Sequence, residues 1–137
     1  MAHANLVILA LGVVANLVIG IVWHADSVMG KRWSATYGID PAKLPAGTVY
    51  PVAMVLGVVK NWVALLALDF VEAAAVVPAS WGTELSVVFW LWVGFTAAPL
   101  ASHSVFTHHR AWVSSVLIDG GFHLVQLVAL VALRRFF

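Results

Sequence analysis

The chain has 137 residues, of which 63% are hydrophobic and 9% charged, seven Lys/Arg against six Asp/Glu. A soluble domain is about 45–50% apolar and about 25% charged, so this composition excludes a disordered chain and a basic nucleic-acid binder and argues strongly against a soluble globule. With no cysteine, disulfides, iron–sulfur clusters and thiol catalysis are excluded too, and an integral membrane protein of one small domain is expected.

Four apolar segments meet the length rule for a membrane-spanning helix. They are residues 5–23, 52–77, 85–105 and 111–133. The first has no Lys or Arg before it, is too long for a signal-peptide core and ends in no clear cleavage site, so a retained helix is expected. The longest connection, His24–Pro51, contains Ser27–Tyr37, where Val28, Met29, Trp33 and Tyr37 mix with Lys31 and Arg32. That mixture predicts a short helix lying in the interface, stopped at Gly38. Asp40-Pro41 reads as an N-cap and first-turn proline opening another short turn, which Pro45 and Gly47 break. The links at Pro78–Glu84 and Phe106–Arg110 are read as tight turns, which force antiparallel neighbours. The expected fold is therefore all-α, an up-down four-helix membrane bundle with an interfacial helix between spans 1 and 2. Lys31, Arg32, Lys43 and Arg110 on one face, against Arg134 and Arg135 on the other, place the first and third loops in the cytoplasm.

Polar residues inside the spans are the candidates for function. In span 1, Asn5, Gly12, Asn16 and Gly20 share a narrow arc beside Trp23, a face suited to close helix packing. Span 2 carries Lys60, Asn61, Asp69 and Glu72. A charge near mid-membrane costs about 2.5–3.5 kcal/mol on insertion scales, so each should face protein or water and be paired. Lys60 and Asp69 point to opposite sides of one helix, and their partners must lie on other helices. Span 3 offers Thr96 and His103, with Pro99 loosening the backbone between them. In span 4, Ser115, Asp119, His123 and Gln126 form a stripe with spacings of four, four and three.

Equal depth below the first-loop face predicts a Lys60–Asp119 ion pair with His123 just deeper. His24, His103, His108 and His109 lie nearer the mouth. At the other end, Glu72 and Glu84 are level with Arg134 and Arg135. Three readings of the Lys60, Asp119 and His123 group stand side by side: a buried network that fixes helix register, a proton or small-solute path, and a metal or haem site using His24, His103, His108, His109 and His123. No diagnostic ligand spacing is present, so no metal or other cofactor is expected, with His24, His103 and His123 the weak candidates. No nucleophile stands beside a base, so no enzyme is expected. Trp23, Trp33, Trp81 and Trp112 fall at predicted interfaces, where aromatic belts are normal, while Trp90 and Trp92 are expected to face lipid or a partner.

The run Gly20-Ile21-Val22-Trp23-His24, then Met29-Gly30-Lys31-Arg32-Trp33, then Tyr37-Gly38 resembles the domain of unknown function 1761 family of small bacterial four-span membrane proteins. Gly94-Phe95 and Gly121-Phe122-His123 extend the resemblance over nearly the whole chain. The motif residues are Trp23, Gly30, Lys31, Trp33 and Gly38. Trp23-His24-Ala25-Asp26 stands where the family has Trp-Tyr-Ser-Pro, and the intramembrane Lys60 and Asp69 are not family features. The resemblance implies a bacterial inner-membrane protein and transfers no activity. The expected role is an accessory or interaction subunit in the lipid bilayer, self-associating or bound to other membrane subunits. A small proton-coupled or solute transporter built on Lys60, Asp119 and His123 is the alternative.

Overall fold

The computed structural model describes residues 6–40, 43, 49–75, 80–106 and 111–136, with α3 side chains at 55–56, 58–70 and 73. Among them are five helices and no strand: α1 (Leu6–Trp23), α2 (Gly30–Tyr37), α3 (Val49–Ala75), α4 (Trp81–Phe106) and α5 (Trp112–Phe136). Helices α1, α4 and α5 are each long and apolar enough to cross a membrane, with mean hydropathies of 2.7, 1.6 and 2.0. The longest helix, α3, carries Lys60, Asp69 and Glu72.

Local chemistry explains the boundaries. The link expected as a turn at Pro78–Glu84 contains the start of α4, because the Ser80 hydroxyl accepts the Thr83 N–H at 3.2 Å as an N-cap. Pro51 lies within the first turn of α3, where its missing N–H is one that no helical carbonyl needs. The segment after α1 begins as turns and becomes helical at Gly30. Gly30 donates to the Ala25 carbonyl at 3.0 Å, and any Cβ there would sit 2.3 Å from the His24 carbonyl oxygen. Gly38 ends α2 in the left-handed region at φ 63°.

Both α4 and α5 contain one π-turn, at Val93–Ala97 and Val116–Gly120. In α4 the wide turn stands just before Pro99, whose ring disfavours ordinary helical geometry in the preceding turn. Helix α5 packs against α1 and α4, and α1 also packs on α3. Leu65, Leu68, Val88, Leu130 and Val131 form the buried core, each at most 3% exposed. The outer faces stay apolar, with Leu6, Ile21, Phe70, Trp90 and Phe95 exposed. After Asp40 the Lys43 N–H donates to the Asp40 carbonyl at 3.0 Å, a turn at the expected place, while Asn5, Pro41, Pro45, Gly47, His108, His109, Arg110, Phe137 and the Glu72 side chain lie outside the described residues.

Candidate functional site

The motif residues assemble around the first-loop end of α5. A π-turn closes i→i+5 hydrogen bonds and so displaces backbone carbonyls from the regular ladder. Two tryptophans meet the carbonyls of the α5 π-turn. Trp23 donates its indole N–H to the Ile118 carbonyl at 3.1 Å, and Trp92 donates to the Gly120 carbonyl at 2.7 Å. Trp23 is thus more than an interfacial anchor, and the expectation that Trp92 faces lipid or a partner is corrected. Gly121 gives Trp23 room, since a Cβ there would meet its ring at 3.3 Å.

Helix α2 folds over this end. Trp33 packs against Tyr37 at 5.7 Å with the rings tilted by 55°, and meets His24 edge-on at 5.6 Å. The His24 Nδ1 lies 3.0 Å from the Gly20 carbonyl and can only donate to it, which fixes the ring to its own helix. Tyr37 donates its hydroxyl to the Asp119 carboxylate. Burial, then the Asp119 hydrogen bond and charge, push the Tyr37 phenol pKa up to about 12, with a Ser115 hydrogen bond opposing. Lys31 lies exposed on the outer side of α2.

The expected Lys60–Asp119 ion pair does not form. Lys60 Nζ instead donates to the Gln126 Oε1, lies 3.4 Å from His123 Nδ1, and sits 5.8 Å from the centre of the Phe122 ring. His123 Nδ1 is also 3.3 Å from Gln126 Oε1. Two physical causes separate the pair. Helix α3 starts at Val49, earlier than expected, which sets Lys60 deeper. Asp119 meanwhile stands level with Trp23 and is taken by Tyr37. The π-turn also splits the expected stripe on α5. Ser115 meets Ser104 of α4 at 3.0 Å and shares Tyr37 of α2 with Asp119, whereas His123 with Gln126 faces α3.

Elsewhere the polar side chains are bonded in small groups. Asn16 donates to Asn61 at 2.9 Å beside Gly12, where a Cβ would stand 2.9 Å from the Asn61 amide nitrogen. Gly20 faces Phe122, so Gly12, Asn16 and Gly20 share the packing side of α1. At the far end Arg134 pairs with Asp69 at 2.6 Å, and Arg135 pairs with the buried Glu84 at 2.8 Å. His103 is exposed on α4, apart from Lys60 and His123. No group of three His, Cys, Asp or Glu side chains that could hold a metal exists among the described residues.

A cleft of about 370 Å³ opens between α3, α4 and α5. Its walls are Val63, Ala64, Ala67, Leu91, Phe95 and Leu127, with Lys60, Thr96 and His123 as its polar members. The α4 π-turn supplies Phe95 and Thr96 to it. Neither Tyr37, Trp92 nor Ser104 is among the residues that sequence reasoning singled out as a site. Tyr37 was placed on the interfacial helix, but no spacing rule links it to a residue 82 positions away.

Comparison with known proteins fits this picture of a helical chain with no assigned chemistry. No curated protein and no solved structure matches it. The model of one family, described as "Protein of unknown function (DUF1761)", matches residues 7–133. The match takes in Trp23, the whole of α2, Gly38 and the π-turns of α4 and α5, and the chain belongs to the DUF1761 family.

Proposed function

We propose that this chain is a four-span integral membrane protein, with α3 as the fourth span, that works by association rather than catalysis. It is an accessory or interaction subunit, self-associating or bound to other subunits of a larger membrane complex. The bacterial inner membrane is its site, with the first and third loops on the cytoplasmic side.

One observation carries this reading. The charged side chains described within the helical spans are engaged separately by neighbours in the fold: Lys60 by Gln126, Asp119 by Tyr37, Asp69 by Arg134 and Glu84 by Arg135. Such separate contacts fix helix register and join into no continuous chain of acids and bases for a reaction. Native mass spectrometry after gentle extraction tests it. A complex containing other polypeptides or further copies is the expected result, and a clean 14.7 kDa monomer refutes it.

A transporter is the second reading, favoured by the cleft that reaches Lys60 and His123. It predicts that Lys60→Met abolishes flux in proteoliposomes while the protein still inserts, and unchanged flux refutes it.

A further inference from the structure

We infer that the cleft between α3, α4 and α5 binds a single-chain lipid carboxylate, with its head at Lys60 and its tail along the apolar wall. The inference stands apart from the accessory role, since either can fail alone.

Charge comes first. Asp69 and Glu84 each face an arginine, but among the described residues no carboxylate pairs with Lys60. An ammonium has three N–H donors. One is directed at Gln126, and a second is taken by His123 only in the tautomer whose Nδ1 carries no proton, so at least one remains for a ligand in the cleft that Lys60 lines. An uncompensated cation among apolar walls favours an anionic oxygen over a neutral one.

Shape and access follow. The Asp69–Arg134 pair and the Lys60–Gln126 and Lys60–His123 contacts set α3 against α5, and the Glu84–Arg135 and Ser104–Ser115 pairs set α4 against α5. In that register Thr96 and His123 lie level, at the Lys60 end. Val63, Ala67, Leu91 and Leu127 continue the cleft away from them, over about 10 Å of α3 at 1.5 Å per residue. One end is polar and the rest apolar, which matches an amphiphile. The volume lies within the range of small-molecule sites, about 300–1,000 Å³. Phe95 is 81% exposed and Val63 55% exposed at the cleft, so the opening faces the side of the bundle, where lipid lies, rather than a loop. The head position lies about 6–10 Å below the layer of Trp23, Tyr37 and Asp119, four to seven residues along α5. A phosphodiester head belongs at the interface, whereas a lone carboxylate can reach this depth once Lys60 neutralises it.

The test is photolabelling of the full chain in lipid nanodiscs with a fatty acid carrying a diazirine on its tail. Dodecanoate, dodecanol and a lysophosphatidylcholine serve as competitors, and thermal melts monitor folding. Labels should map to α3 and α4 peptides around Val63, Ala67 and Leu91. Dodecanoate should compete at least about tenfold better than dodecanol, the worth of one charge-assisted hydrogen bond. Lys60→Met should abolish that difference. Ala67→Phe, which fills the apolar end and leaves Lys60 untouched, should lower labelling by a similar factor and decides the matter if Lys60→Met fails to fold. Equal competition by dodecanol, unchanged labelling in the folded variants, labels spread over the outer faces of α1 and α5, or competition by the lysophospholipid in place of the carboxylate would each overturn the inference.

Discussion

Replacing Trp92 by phenylalanine isolates the indole bond to the α5 π-turn. The ring is partly buried, and its N–H lies 2.7 Å from the buried Gly120 carbonyl. Removing a donor from a buried acceptor costs about 1–3 kcal/mol, and the smaller ring gives up about 0.5–1 kcal/mol of apolar burial. The expected loss is about 2–3 kcal/mol, which for a chain of this size lowers the melting temperature by about 5–10 °C. Trp90→Phe is the control, because Trp90 is 67% exposed and meets Phe89 edge-on at 5.6 Å. It should change stability by no more than about 0.5 kcal/mol. Thermal melts in one detergent, repeated in nanodiscs, provide the comparison. Trp23→Phe should resemble Trp92→Phe, and the double variant should be non-additive because both indoles hold the same turn. Equal melting temperatures for Trp90→Phe and Trp92→Phe would refute the claim that indole donors stabilise the widened turn.

Glycine substitutions should separate by what the new Cβ meets. Gly30→Ala, facing backbone at 2.3 Å, should cost more than Gly38→Ala, which meets no atom and carries only the left-handed penalty of about 1–2 kcal/mol. Both are read by thermal melts. Gly12→Ala should cost about 1–3 kcal/mol through its clash with Asn61 and Leu130, and adding Asn61→Ala should recover part of it in the same assay. Asp69→Asn should destabilise by weakening a partly buried ion pair, while Asp69→Leu with Arg134→Met should regain much of the loss; a double-mutant cycle measures the coupling. The Tyr37 phenol has a folded pKa raised from 10.0 to about 12. Its contribution is therefore fully present below pH 10, and stability should fall as pH rises from about 10 to about 12. That loss should be smaller in Tyr37→Phe by pH-dependent melting.

Much of the helical plan was legible because long apolar runs announce themselves. The short helix α2 was readable from Trp33 and Tyr37 alternating with cations, and its stop from Gly38. What escaped was register between helices. Periodicity placed Lys60 and Asp119 at one depth by counting from assumed span ends, and a shift of a few residues in α3 was enough to separate them. The stripe from Ser115 to Gln126 assumed regular α geometry, and the π-turn at Val116–Gly120 redirects it toward three different neighbours. No composition rule announces a π-turn. Pro99 hinted at the irregularity in α4, whereas α5 has no proline, and only the two converging indoles reveal its wide turn. At the far end, level counting did bring Glu84 to Arg135. It missed that Arg134 turns to Asp69, because helix face as well as depth decides a partner.

The two polar layers have a mechanical consequence for the surrounding membrane. Asp119 and Arg134 lie about 22 Å apart along α5, counted at 1.5 Å per residue. A typical hydrocarbon core is about 30 Å thick. If the proposed four-span arrangement sets these two layers at the borders of the hydrocarbon, adjacent lipid would have to thin, or the helices to tilt less and draw their charged ends inward, at a modest cost for each ångström of mismatch. Under the proposed self-association, the same mismatch would favour clustering, because copies would share one thinned annulus. In a membrane of graded thickness, it would also concentrate the protein where the bilayer is thinnest.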